Sequence, residues 1–144
     1  MNNAMHRVAE ETARIIASRV SASARLDFLP RHFGRYMMQV ESRIYDQFRE
    51  IAPAYDGGFW EFVDLSNGGG YLAPAGERFL IDQPSNYFQG TVSADAAGVI
   101  VTLYVLSELS FKYPEEPLFA DHFYRLRDFA AEHAEAALIF SAID

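Results

Sequence analysis

Residues 63–74 read Val-Asp-Leu-Ser-Asn-Gly-Gly-Gly-Tyr-Leu-Ala-Pro, and this stretch decides between two classes of fold. A phosphate-binding loop needs Lys-Ser or Lys-Thr after its last glycine, or glycines spaced G-x-G-x-x-G at the start of a helix. Here the glycines are contiguous and Tyr-Leu-Ala-Pro follows them. Asn-Gly between two apolar segments is typical of a β-hairpin turn, because both residues tolerate a positive φ. The stretch therefore predicts a hairpin and not a phosphate site.

Further strands and helices are predicted on both sides of this hairpin. Apolar residues recur at helical spacing in four segments. These segments span residues 5–20, 35–52, 94–111 and 118–143. Short apolar segments separated by turn residues predict the strands of an antiparallel meander. These strands span residues 59–65, 71–73 and 78–82, with 87–92 as a further candidate. Residues 25–30 are predicted to be extended, because Pro30 disfavours a helical conformation in the residue before it.

The pattern predicts an α+β fold: a small antiparallel β-meander packed with about four α-helices, in a single domain over residues 1–144. Half of the residues are hydrophobic, so the chain can bury a core. It has no cysteine, which excludes disulfides and thiolate metal ligands and fits a reducing compartment. The N-terminus lacks the apolar core of a signal peptide, and the uncharged run 96–107 is shorter than a membrane span. We expect a soluble, cytoplasmic protein without a membrane partner.

Charge is distributed unevenly along the chain, whose net charge is −8. Residues 1–50 carry eight arginines and six acidic residues, whereas residues 51–144 carry four basic and fourteen acidic residues. Such a chain is repelled by DNA phosphates, so direct DNA binding is not expected. The acidic part either imitates DNA, binds a basic partner, or keeps the protein soluble.

The residues that usually carry catalysis are scattered. The four histidines are His6, His32, His122 and His133. None lies in an H-E-x-x-H motif, and no serine lies in a G-x-S-x-G motif. His133 lies in an apolar stripe and is interpreted as a hydrogen-bonded core residue. Ser93 and Asp95 suit the N-cap and first turn of a helix. We therefore predict no catalytic residue and no metal ligand.

Two sets of residues are candidates for an interaction surface. The first joins aromatic residues, the glycine turn and the start of the helix at 94: Trp60, Asn67, Gly68, Gly69, Tyr71, Ser93 and Asp95. The second, called the acidic face here, lies on the last predicted helix: Asp121, Asp128, Glu132 and Glu135. Arg125 interrupts the acidic face, at the spacing for ion pairs with Asp121 and Asp128. Each set also has a structural interpretation: packing of Trp60, turn and cap geometry, or a solvated helix face.

Several short motifs follow one another along the chain in a recognisable order. They are Phe28-Leu29-Pro30, Phe33-Gly34, Glu41-Ser42-Arg43-Ile44-Tyr45, Tyr55-Asp56-Gly57-Gly58-Phe59-Trp60-Glu61-Phe62, Leu65-Ser66-Asn67-Gly68-Gly69, Tyr71-Leu72-Ala73-Pro74, Asn86-Tyr87-Phe88-Gln89-Gly90 and Ser93-Ala94-Asp95-Ala96-Ala97-Gly98-Val99-Ile100. In this order and spacing the series closely resembles the KlcA/ArdB antirestriction proteins of conjugative plasmids and other mobile elements. The resemblance covers residues 25–113, about three-fifths of the chain. Gly70 stands where an aromatic residue is expected in this family.

The resemblance implies a protein that inhibits type I restriction-modification systems and so protects incoming unmodified DNA. It implies a compact α+β fold, no cofactor and no agreed catalytic residue. The expected partner is the type I restriction-modification complex, bound directly or indirectly through protein contacts. The alternative is an acidic DNA mimic that occupies the DNA-binding cleft of the restriction enzyme. A small hydrolase that uses Asp95 or Glu41 is a third hypothesis. The target subunit, the acting surface and the oligomeric state are left open.

Overall fold

A computed structural model describes residues 14–144, and residues 1–13 lie outside this description. The strands are β1 (Ala17–Arg19), β2 (Trp60–Leu65), β3 (Gly70–Pro74), β4 (Arg78–Gln83) and β5 (Phe88–Ser93). The helices are α1 (Arg25–Phe33), α2 (Met37–Ile51), α3 (Ala94–Lys112), α4 (Pro117–Glu132) and α5 (Ala136–Ile143). Short 3₁₀ turns at Ala22–Ala24 and Gly34–Tyr36 precede α1 and α2. The predicted α+β class is confirmed.

The strands form two small antiparallel sheets rather than one continuous meander. One sheet has the order β1-β2-β3, and the other is the hairpin β4-β5. The reason is that α3 covers the edge of β3 to which β4 would have to pair. Thr102 of α3 places its hydroxyl 3.3 Å from the amide nitrogen of Leu72 and 3.4 Å from its carbonyl oxygen. With these groups engaged, the chain leaves β3 and starts a second sheet.

Helix α3 is the centre of the core. Twelve of its nineteen residues are buried, so its apolar sequence is accounted for by packing. By length and composition it would also pass as a membrane span, but 67% of that window is buried inside the protein. Gly98 allows the helix to approach β3, because a Cβ atom there would lie 2.4 Å from the carbonyl oxygen of Leu72. The side chain of Ser93 accepts a hydrogen bond from the Ala96 amide, which confirms the predicted N-cap.

Two predictions for the first third of the chain are wrong. Residues 17–19 of the predicted helix 5–20 form β1, which pairs with β2 from Ala17↔Leu65 to Arg19↔Val63; residues 5–13 of that prediction lie outside the described residues. Residues 25–30, predicted to be extended, lie in α1, and this helix contains Pro30. Phe28 and Phe33 of α1 are 0% and 1% exposed. Burial of each phenylalanine contributes about 1.5–3 kcal/mol, which outweighs the local preference of the residue before proline.

Candidate functional site

The glycine stretch forms the predicted hairpin turn between β2 and β3. The amide of Gly68 donates to the Leu65 carbonyl at 3.0 Å, and the amide of Leu65 donates to the Gly69 carbonyl at 2.9 Å. Gly68 has φ 91°, a left-handed conformation that closes a three-residue turn. Asn67 has no positive φ and contributes through its side chain instead. Its Oδ1 accepts from the Gly69 amide at 3.0 Å.

This turn is fixed against helix α4. The Nδ2 atom of Asn67 donates to the carbonyl oxygen of Arg125 at 2.9 Å. A Cβ atom at Gly69 would lie 2.9 Å from the Cβ atom of Arg125, so only glycine allows this approach. Asp121 and Asp128 are exposed on the same helix, one turn before and after Arg125. The structure therefore brings the predicted turn residues next to the predicted acidic face.

The ion pairs predicted for Arg125 are absent. Arg125 forms no salt bridge to Asp121 or Asp128 within 4.0 Å, although all three residues are described. The arginine side chain instead runs along the turn, with its Nε atom 3.9 Å from the position of a Cβ atom at Gly68. The competing contact with the hairpin thus takes the place of the helical ion pairs.

Gly70 follows the turn and makes room for a histidine. A Cβ atom there would lie 3.0 Å from the Val63 carbonyl oxygen and 3.1 Å from the ring of His32. The imidazole of His32 thus fills the space beside Gly70. A larger residue at this position would require His32 to move.

A hydrogen-bonded group joins β3, α3 and the segment between α4 and α5. We call Tyr71, Ser93, Asp95, His133 and Glu135 the Asp95 network. The hydroxyl of Tyr71 donates to Oδ1 of Asp95 at 2.6 Å, and Nε2 of His133 donates to Oδ2 at 2.8 Å. The amide of Glu135 donates to Nδ1 of His133 at 3.0 Å, which fixes the tautomer of the imidazole.

The same network explains why the last predicted helix, 118–143, is broken. His133 has an extended backbone conformation (φ −71°, ψ 146°) between α4 and α5. Glu135 turns inward there, accepts from the Ser93 amide at 2.9 Å and takes a short hydrogen bond from the Ser93 hydroxyl. Its assignment to a solvated acidic face is therefore wrong. The prediction of a hydrogen-bonded His133 is confirmed, although Asp95 as its partner was not foreseen.

Hydrogen bonds decide the charge state of the Asp95 network. Burial alone would raise the pKa of Asp95, but the bonds from His133 and Tyr71 outweigh it and lower that pKa. Burial, together with the bond to Asp95, raises the pKa of Tyr71, which stays protonated. Burial disfavours the charged form of Glu135, but the hydrogen bonds from Ser93 favour it. The pKa of Glu135 is lowered as a result. The network therefore holds two carboxylates, and each of them accepts hydrogen bonds from the neighbouring side chains.

A second polar cluster lies beside Gly70. Nε2 of His32 donates to Oδ1 of Asp64 at 2.6 Å, and Arg31 donates to Oδ2 of Asp64 at 2.9 Å. Nε2 of His122 donates to the carbonyl oxygen of His32 at 2.9 Å, and its buried Nδ1 has no hydrogen-bond partner among the described residues. Burial lowers the pKa of His32 and lowers that of His122 to about 4, where repulsion from His32 adds to the effect. Both histidines are neutral links between α1, β2 and α4.

Neither cluster forms a metal site. Among residues 14–144, no group of three or more His, Cys, Asp or Glu side chains has metal-binding geometry. A hollow of about 170 Å³ lies beside Asp95 and is lined also by Arg19 and Glu61. A hollow of about 770 Å³ between α3, α4 and α5 has none of the Asp95 network in its lining. The polar network and the larger hollow are thus separate features.

The candidate residues occupy different depths in the protein. Trp60 and Tyr71 are 4% and 1% exposed, so they cannot contact a partner directly. Trp60 donates from Nε1 to the Tyr55 hydroxyl at 2.9 Å and packs on Phe48, as the packing interpretation predicted. Gly69 is also buried, and the other four candidates of the first set reach the surface in two places. Asn67 and Gly68 lie at the turn, and Ser93 and Asp95 lie at the start of α3.

Sequence reasoning missed the histidine pairings. Asp95 and His133 are 38 residues apart, and His32 and Asp64 are 32 apart, so no local spacing signals either contact. The one available signal for the Asp95 network was the position of Asp95 in the first turn of a helix. That position predicts a charge next to a helix N-terminus but not the identity of its partners.

Comparison with known proteins identifies the family. The model of the family described as antirestriction protein matches residues 53–144. Two Escherichia coli proteins named antirestriction protein KlcA are 43% and 42% identical to the chain, each over 90% of it and over 95% and 94% of their own length. A solved structure from work on KlcA and ArdB has a TM-score of 0.83 and 41% identity, covering 90% of this chain and 95% of the other. The chain therefore belongs to the antirestriction protein family.

Proposed function

We propose that this chain inhibits type I restriction-modification systems in the cytoplasm by contacts with another protein, without catalysis. Its similarity to KlcA extends over nearly the whole of both chains. The KlcA and ArdB proteins of the solved structure are described as showing antirestriction activity against type I DNA restriction systems in vivo but not in vitro. The same activity in this chain would protect incoming unmodified DNA.

The observation that carries the contact mechanism is that the side chains of the Asp95 network are hydrogen-bonded to one another. Both carboxylate oxygens of Asp95 accept hydrogen bonds, and both ring nitrogens of His133 are engaged. The Ser93 hydroxyl donates to Glu135 and accepts from the Ala96 amide. A general base or an activated nucleophile acts on a substrate that it contacts. The contacts of these side chains are with one another, and they hold three parts of the fold together.

DNA mimicry is less well supported because the acidic face is not continuous. Glu135 points to Ser93, and Glu132 accepts a hydrogen bond from the Ile15 amide at 3.1 Å. Arg125 and Arg127 lie on the same helix as Asp121 and Asp128 and are also exposed. A DNA mimic must present a regular array of negative charges to compete for a phosphate-binding cleft. The mixed charges of α4 do not form such an array.

The activity of the solved relatives in vivo but not in vitro bears on the identity of the partner. An inhibitor that binds the restriction enzyme alone should act on the purified enzyme. We infer that the partner includes a component present in the cell, either a further protein or an assembly state of the type I complex. The contact with the restriction enzyme is then direct only within that assembly.

The proposal is tested by plating unmodified phage on a strain with a type I restriction system. The variant Asp121→Asn/Asp128→Asn/Glu132→Gln neutralises the exposed acidic residues of α4. A matched control, Asp46→Asn/Glu50→Gln/Asp56→Asn, removes the same charge from exposed positions on and after α2. We expect the wild-type chain and both variants to raise the plating efficiency. Loss of protection in the α4 variant alone would show DNA mimicry instead, provided that circular dichroism shows a folded protein.

A further inference from the structure

Tyr87 stands out at the tip of the β4-β5 hairpin. Its side chain is 93% exposed, and its backbone has φ 62°. Within residues 14–144 it is the single non-glycine residue with a positive φ. Left-handed conformations favour glycine and asparagine, and a bulky aromatic residue adopts one only under strain. The fold thus carries a strained residue whose side chain lies in water.

The left-handed backbone of Tyr87 is held in place by the hydrogen bonds of the preceding residue, Asn86. Nδ2 of Asn86 donates to the carbonyl oxygens of Ser141 and Ala142, at 3.3 and 2.9 Å, near the end of α5. Oδ1 of Asn86 accepts from the Phe88 amide at 3.0 Å. These bonds fix the backbone on both sides of Tyr87. The aromatic ring is therefore presented from a rigid support.

The fold itself does not require a tyrosine here. A side chain that is 93% exposed buries almost no area, and no hydrogen bond of Tyr87 is found among the described residues. Glycine or asparagine would satisfy the same backbone without strain. Strained residues held by their surroundings are concentrated at functional sites, and rigid tyrosines are frequent at the energetic centres of protein interfaces.

We propose that Tyr87 is the anchor through which this chain binds its protein partner, by inserting the ring into an apolar pocket with basic residues at the rim. The proposal rests on the proposed function, in which the chain acts by protein contact. The backbone that carries the ring is fixed before binding, so ordering it on association costs little conformational entropy, which favours affinity. The proposed contact with the partner therefore lies at the end of the molecule that the β4-β5 hairpin and α5 form.

The basic rim follows from the charges near the tip. Asp82 lies in β4 opposite Gln89, and Asp144 lies two residues after Ala142, whose carbonyl oxygen accepts from Asn86. The carbonyl end of α5 adds partial negative charge. Lysine or arginine on the partner would complement these groups, and the same groups would repel a nucleic acid. A protein is thus favoured over DNA or RNA as the partner.

The test compares Tyr87→Gly and Tyr87→Asn with the wild-type chain. Both substitutions remove the ring and suit the left-handed backbone, so we expect the urea unfolding midpoint to be equal to or higher than that of the wild type. Loss of an anchor tyrosine weakens binding by roughly thirtyfold, so protection of unmodified phage should fall steeply in both variants. Tyr124→Ala is the matched control, because Tyr124 is 57% exposed on α4 and is expected to be dispensable.

The outcomes separate this proposal from the proposed function. If the wild-type chain gives no protection, the proposed function is wrong. If the wild type protects and Tyr87→Gly protects equally, Tyr87 is not the anchor. A lower unfolding midpoint in both variants would mean that Tyr87 supports the fold, which also contradicts the proposal. Binding of a single-stranded oligonucleotide by the wild type that is lost in Tyr87→Gly would identify a nucleic-acid contact instead.

Discussion

Replacement of Asp95 by asparagine tests whether the Asp95 network stabilises the fold or carries out a reaction. The carboxylate accepts from the Tyr71 hydroxyl at 2.6 Å and from Nε2 of His133 at 2.8 Å. The asparagine amide has one acceptor oxygen, and its nitrogen only donates. One of the two donors must therefore lose its partner in Asp95→Asn. The protein should lose stability because Tyr71 and His133 lie on elements that the carboxylate links.

The expected loss follows from the number and exposure of these hydrogen bonds. A hydrogen bond to a charged group contributes about 1.5–3 kcal/mol. The side chain of Asp95 is 44% exposed, so water replaces part of the lost bond and about 1–2 kcal/mol remains. Loss of negative charge in the first turn of α3 adds about 0.3–1 kcal/mol. The free energy of unfolding should fall by about 2 kcal/mol.

Urea unfolding followed by the fluorescence of Trp60 measures this loss, because Trp60 is the one tryptophan of the chain. Tyr71→Phe removes one of the two bonds from its other end and serves as the second arm of a double-mutant cycle. The two substitutions should destabilise by less together than the sum of their separate effects, because they share a bond. At temperatures where Asp95→Asn stays folded, protection should persist. A fully stable Asp95→Asn protein without protection would refute the structural interpretation and point to chemistry at Asp95.

Three further substitutions test other parts of the structure. His122 has a pKa of about 4 in the folded protein, below its ordinary value of 6.5, so the unfolded chain takes up the proton first. Stability should thus fall by about 3 kcal/mol between pH 6.5 and 4, and His122→Asn should lack this loss in urea titrations at several pH values. Gly98→Ala should lower the melting temperature, because its Cβ would lie 2.4 Å from the Leu72 oxygen and overpacking costs about 1–3 kcal/mol or more. Asn67→Ala should release the turn from Arg125 and speed amide exchange at Gly69, at a cost of about 1–2 kcal/mol; unchanged exchange would contradict the role of this side chain.

The parts of the fold that sequence predicts well depend on neighbouring residues. The Asn-Gly turn has a backbone requirement at Gly68, and the start of α3 has a hydrogen-bonding requirement that Ser93 meets. Helix α2 has an apolar stripe that needs no knowledge of its partners. In each case the residues that cause the local structure lie within a few positions of the sequence pattern that predicts it.

The parts that sequence missed depend on contacts between distant segments. Local preference placed residues 25–30 in an extended conformation, and burial of Phe28 against the sheet made them helical. The apolar stripe through His133 predicted one long helix, and bonds to Ser93 and Asp95 broke it. The strained backbone of Tyr87 is visible only in the structure.

The proposal that this chain relieves type I restriction is tested most directly by the plating efficiency of unmodified phage. The efficiency is compared between cells with and without the wild-type chain, in hosts with a type I system, a type II system or no restriction system. Protection should appear in the type I host alone, with equal plating in the unrestricted host. Equal plating with and without the chain in the type I host, at a protein level confirmed by immunoblot, would contradict the proposed function.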